Sequence, residues 1–127
     1  MMVNDPVSDL IIRIKNASMV GKEEVELPYS KLKHAIADVL VKEGYLAGAE
    51  KQGKKAKKTL ALTLKDGAVS DVRRISKPGR RLYVKSADIF PVKFGQGRRI
   101  ISTPAGILTG EEARKQNVGG EELFIIW

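Results

Sequence analysis

A chain of 127 residues with 43% hydrophobic content suffices for one ordinary domain or two small lobes sharing a core, and is too short for a large multidomain enzyme. It has no cysteine and a single histidine, His34, which excludes disulfides, thiolate catalysis, zinc sites built on sulfur and metal sites needing several histidines. The net charge of +8 is concentrated in residues 51–99, where 15 Lys or Arg face only Asp66, Asp71 and Asp88, a field that favours a polyanion, nucleic acid first and an acidic membrane surface second.

No run approaches the roughly 20 apolar residues that cross a bilayer. The N-terminus, MMVNDPVSDLIIRIKNA, lacks a basic flank followed by an apolar run and a small-residue cleavage site, so a soluble, cytoplasmic protein is expected. Asp5 and Pro6 read as an N-cap and a first helical residue. Val7, Leu10, Ile11 and Ile14 supply the apolar stripe of a helix running from about residue 6 to 17. Residues 24–27 alternate as a short strand that Pro28 ends. A second helix follows in "SKLKHAIADVLVKEGY", with Leu32, Ile36, Val39 and Leu40 on one face and Gly44 at a left-handed C-cap. His34 falls off that stripe and reads as a solvent-facing residue, with no nucleophile near it to make it a base. Residues 45–50 and 59–64 pattern as a hairpin whose connection, "KQGKKAKK", is a basic tip. Its lysines serve either to protect a sheet edge or to contact phosphate. Asp66 and Gly67 mark a turn and a lobe boundary.

Beyond that turn come short strand patterns, "SDVRRISK", "RLYVK", "RRIIST" and the C-terminal "ELFIIW", the last apolar enough to be central. One more helix is expected, with Thr109 as N-cap and Glu112 completing a capping box; Asn117, Gly119 and Gly120 stop it. The fold class is therefore α+β in two small lobes. Residues 1–67 form an N-terminal α-β-α-β-β lobe, and residues 68–127 form a mainly antiparallel β lobe with one short helix.

Catalytic signatures are weak. Glu111 and Glu112 open a helix, where negative charge stabilises the dipole, and Glu121 and Glu122 fall on opposite faces of a strand. No GxxxxGK motif occurs, "FGQGRR" reads as a hairpin turn, and Ser102 has no evident base. Neither a metal site nor a cofactor is expected.

The nucleic-acid reading gathers more. "RRISKPGRRLYVK" sets Arg73, Arg74, Lys77, Arg80, Arg81 and Lys85 around a Pro-Gly turn, with Tyr83 either stacking on a base or ribose or packing into the core. The helix after Thr109 is too short to read a major groove, which disfavours a helix-turn-helix. A-form RNA has a shallow minor groove lined with 2′-hydroxyls, and the turn Ser102-Thr103-Pro104-Ala105-Gly106 suits it, with two hydroxyls that both donate and accept.

The segments "DPVSDLIIRIKNA", "PYSKLKHAIADVLVKEGY", "ISKPGRRLYVK", "ISTPAGILTGEEARK" and "VGGE", in order and spacing, resemble the bacterial type of the small-subunit ribosomal protein family conventionally numbered eight. The likeness spans nearly the whole chain. It implies a non-catalytic, two-lobe α+β protein of the ribosome that binds the central domain of small-subunit ribosomal RNA early in assembly, beside neighbouring small-subunit proteins. It implies a principal RNA contact at Ser102, Thr103 and Gly106, with the corner Gly119, Gly120 and Glu121 beside the RNA and Tyr83, Lys77, Arg80 and Arg81 nearby. By the same likeness the N-terminal lobe touches RNA through Asp5, Ser8 and Arg13, and through Ser30, Lys31 and Lys33 at the start of the second helix. The chain departs from the family where Pro104 replaces a common third serine, where "KFGQGRRI" is more basic than usual, and where Glu122 and Phe124 replace small apolar residues. Two other readings compete: a nonspecific DNA- or RNA-binding accessory protein, and a small nucleic-acid enzyme, which the absent metal spacing and acid-base pair disfavour. No membrane and no small-molecule substrate is expected.

Overall fold

The computed structural model, whose described residues are 5–53, 57–90 and 97–127, divides into two units, Pro6–Ser70 and Asp71–Trp127, the latter including Asp5. Helix α1, Pro6–Met19, opens the first unit and buries Val7, Leu10, Ile11, Ile14 and Ala17, the stripe expected from its 3.6-residue spacing. Strand β1, Glu24–Pro28, follows, then helix α2, Lys31–Lys42, and strands β2, Leu46–Gln52, and β3, Thr59–Leu64. The three strands form an antiparallel sheet in the order β1-β3-β2, with Leu60 opposite both Leu27 and Lys51. Leu27, Leu46, Leu60 and Leu62 join the helical stripes in a buried core.

α2 is shorter than its sequence pattern and turned relative to it. Ser30 caps it, its hydroxyl accepting from the Lys33 N–H at 3.1 Å, and the chain turns away after Lys42 through Gly44 at φ 86°. Its buried face is Lys33, Ile36, Ala37 and Leu40, and Leu32 is 37% exposed. The expected face of Leu32, Ile36, Val39 and Leu40 misses because Lys33 is only 6% exposed, a burial that a lysine tolerates only with partners for its ammonium. Lys33 Nζ donates to Asp9 Oδ2 at 2.8 Å and to the Pro28 carbonyl at 3.1 Å. His34 is half-buried rather than solvent-facing, its ring edge-on to Tyr29 and its Nε2 3.5 Å from Asp38.

Asp9 is the node of this unit, since its Oδ1 also accepts from Arg13 Nε at 2.8 Å, one turn along α1. Burial pushes the Asp9 carboxyl up, but the hydrogen bonds and charges of Arg13 and Lys33 outweigh it and hold the group below the ordinary carboxylate range. A carboxylate with a depressed folded pKa contributes stability above its unfolded pKa and loses that contribution as pH falls through the folded value. Asp9→Asn is therefore expected to lower the thermal midpoint at pH 7, with the gap to the parent narrowing below about pH 4. A gap of equal size at pH 7 and pH 3 would mean that the charge on Asp9 is not what the unit uses.

The second unit contains β4, Val72–Arg74, β5, Tyr83–Val84, a 3-10 turn at Ser86–Asp88, β6, Arg98–Thr103, β7, Gly106–Thr109, α3, Gly110–Lys115, and β8, Gly120–Ile126. Its sheet runs β4-β8-β6-β7, with β5 also paired to β8, so the apolar last strand is central as its composition predicts. The helices and antiparallel sheets together make the expected α+β fold.

β7 is an unforeseen strand: the chain does not pass from the hydroxyl-rich turn straight into α3 but pairs first with β6, Ile101 opposite Leu108. The capping box of α3 is present, the Thr109 hydroxyl accepting from the Glu112 N–H at 3.2 Å and the Thr109 N–H donating back to Glu112 Oε1 at 3.3 Å. β8 carries a bulge, because Ile100 lies opposite Phe124 while Ile101 lies opposite Glu122, and the extra residue buries Leu123 and Phe124 side by side in sequence. Glu122, which the sequence leaves without a role, accepts from Arg99 at 3.0 Å. The first half of "FGQGRR" and the middle of "KQGKKAKK" lie outside the described residues.

Candidate nucleic-acid interface

The β6–β7 turn consists of Pro104 and Ala105, with Thr103 paired to Gly106 on either side. Proline fixes its own φ there, and Gly106 takes φ 117°, a conformation that other residues rarely adopt. The Thr103 hydroxyl is spent inside the turn: it donates to the Gly106 carbonyl at 2.8 Å and accepts from the Ala105 N–H at 3.1 Å. The Ser102 hydroxyl has no partner among the described residues. The two hydroxyls thus differ in kind, one closing the turn and the other left open.

Register puts Ser102 in a row. Ser102 lies opposite Glu121 on β8, and Glu121 lies opposite Tyr83 on β5, so the three side chains share one face of the sheet. Directly opposed residues stand about 5 Å apart at Cβ, which sets Tyr83 and Ser102 on the order of 10 Å from each other. Tyr83 is 72% exposed, which removes the core-packing alternative for its ring.

Close backbone approach builds this corner. A Cβ placed on Gly120 would fall 2.0 Å from the Ser102 carbonyl oxygen, and one on Gly119 2.3 Å from that of Val84. Both positions admit only glycine because the neighbouring strands' backbones occupy the space.

Glu121, 14% exposed at its side chain, would repel phosphate if it were free. Instead Oε2 accepts from the Ser76 hydroxyl at 2.7 Å, and Oε1 lies 3.2 Å from Arg81. Ser76 is fully buried and its oxygen also accepts from the Leu82 N–H at 2.9 Å, closing the neck of the basic loop. Within the loop, Lys77 and Arg80 exchange backbone hydrogen bonds of 3.0 and 2.9 Å around Pro78 and Gly79. The Lys77 and Arg80 side chains are exposed and have no ion pair among the described residues. Ser76 escaped the sequence reading because a serine between basic residues carries no local sign of burial.

The remaining sequence-predicted residues lie elsewhere. Asp5 is ion-paired to Arg74 at 2.9 Å, while Arg74 Nε also donates to the Ser76 carbonyl. In the Pro6–Ser70 unit, Arg13 and Lys33 are held by Asp9, Arg13 also donates to the Glu26 carbonyl at 3.2 Å, and the Ser30 hydroxyl is the cap of α2. Ser8 is half-buried in the first turn of α1 and Lys31 is exposed. Among the described residues no helix is long and apolar enough to cross a membrane, and no group of three or more His, Asp or Glu is placed to hold a metal ion.

The family model described as ribosomal protein S8 matches residues 5–127 of the chain. A protein of Mycoplasmopsis synoviae named small ribosomal subunit protein uS8 is 46% identical over 132 residues, with 100% of both chains covered. Proteins of the same name from Dictyoglomus thermophilum and Paenarthrobacter aurescens are 44% and 43% identical, again over the full length of both chains.

Proposed function

The chain belongs to the ribosomal protein S8 family, whose members are structural constituents of the small ribosomal subunit and not enzymes, and on that premise we propose that it binds the central domain of small-subunit ribosomal RNA directly and helps its assembly. The observation that carries this reading is the row Tyr83, Glu121 and Ser102 together with the exposed cations of Lys77 and Arg80, which have no ion pair among the described residues. An exposed aromatic ring stacks on a base or ribose, an open hydroxyl meets 2′-hydroxyls in an A-form minor groove, and the lysine and arginine take phosphates. Thr103, Gly106, Gly119, Gly120 and Glu121 act by shaping that surface: Thr103 and Gly106 close the turn, the two glycines let the strands approach, and Glu121 fixes Arg81 and the loop neck. In the N-terminal unit Lys31 is exposed and open to a phosphate contact, while Ser30 caps α2 and Arg13 and Lys33 are held by Asp9. Neighbouring small-subunit proteins are the expected protein partners.

Ser102→Ala tests the row. It is expected to weaken binding to a central-domain RNA fragment about 5-fold, in line with one hydrogen bond, while leaving the thermal midpoint and the salt dependence as in the parent, since a hydroxyl releases no counterions. Thr103→Ala is expected to lower both affinity and thermal midpoint, because the turn itself loosens. Parent affinity in Ser102→Ala would remove that hydroxyl from the interface.

A further inference from the structure

The lysines at the end of the β2–β3 hairpin carry a charge that the row at Ser102 does not use. Lys51, Lys57 and Lys58 are exposed, and none has an ion pair among the described residues, although Glu26 lines the same open groove of about 480 Å³ as Lys57 and Lys58. Leu27, Pro28 and Thr59 complete that groove. Lys51 Nζ stands 4.7 Å over the Tyr29 ring, and the Tyr29 N–H donates to the Lys58 carbonyl at 3.1 Å, so this residue joins the hairpin end to the segment that leads into α2 and Lys31.

Lys51 lies on the edge strand β2, but edge protection does not account for Lys57 and Lys58. In the order β1-β3-β2 the edge strands are β1 and β2, whereas Lys57 and Lys58 lead into β3, which is paired on both sides. Lys57 and Lys58 share the groove with one lining carboxylate, Glu26, so the lining keeps a net positive charge that a polyanion neutralises.

We propose that Lys51, Lys57 and Lys58 form a second contact surface of this protein, one that takes the backbone phosphates of an RNA segment without reading its sequence. This rests on the reading that the chain binds RNA, and it differs from the Ser102 row in kind. Three point charges on flexible stems supply affinity and salt dependence, and they carry no preference for one base over another.

The test is a titration of the full chain and of the variant Lys51→Gln/Lys57→Gln/Lys58→Gln against a central-domain RNA fragment and a scrambled RNA of equal length, at several salt concentrations. The variant is expected to keep the parent's thermal midpoint and its preference for the central-domain fragment. Its log affinity should depend less steeply on log salt, by about 2 to 3 units for both RNAs, at roughly 0.7 to 0.9 per lost phosphate contact. The parent's slope in the variant would overturn the proposal. So would an unchanged RNA slope combined with lost binding of a polyglutamate probe, which would assign the surface to an acidic protein. A parent that binds both RNAs equally would instead remove the specific site proposed above, and the slope comparison would still decide the role of the lysines.

Discussion

Gly120→Ala is expected to lower the thermal midpoint by roughly 10 °C, equivalent to about 3 kcal/mol for a chain of this size, and to weaken RNA binding at temperatures where the variant is still folded. The added methyl would lie 2.0 Å from the Ser102 carbonyl oxygen, and the obstacle is backbone, which no rotamer change can move aside. β6 and β8 must therefore separate at the point where Ser102 faces Glu121, breaking the row proposed to meet RNA. A melting curve within about 2 °C of the parent would show that the strands are not so close.

Phe124→Ala is expected to lose about 3 to 5 kcal/mol in urea unfolding, seen as a fall in the midpoint concentration with an unchanged slope. The ring is fully buried on the central strand, opposite Ile100, and truncation leaves a cavity that strands paired on both sides cannot collapse to fill. A loss under about 1 kcal/mol would mean that the bulge at β8 relaxes and refills the space.

Phe124 also illustrates what the sequence could and could not convey. That "ELFIIW" forms a buried strand follows from its composition, but simple alternation puts Leu123 and Phe124 on opposite faces, and their joint burial depends on a bulge set by pairing with β6. α1 was legible because its apolar residues repeat at one helical period, and α3 because a capping box is a local signal. The buried face of α2 was not, since Lys33 enters the core only through Asp9, 24 residues earlier. β7 hid behind the proline, glycine and hydroxyls of the turn before it, which dominate any local reading.

The same division runs through the candidate interface. Residue types marked Ser102, Tyr83 and the basic loop, because hydroxyls, an aromatic ring and clustered cations have recognisable uses. Their arrangement in one row comes from strand register, and the clasp of Ser76, Glu121 and Arg81 joins residues far apart in sequence. Opposite-charge partners removed Arg13 and Lys33 from the open cations, which a count of charges cannot do.

The most direct measurement of the central claim is a competition titration of the purified chain on a central-domain fragment of small-subunit ribosomal RNA, with scrambled RNA of equal length and duplex DNA as competitors, repeated across salt. Tight binding that neither competitor displaces at moderate salt is the predicted result. Equal competition by all three polyanions, with binding abolished as salt rises, would contradict a specific RNA site and leave only a basic surface that binds polyanions without distinction.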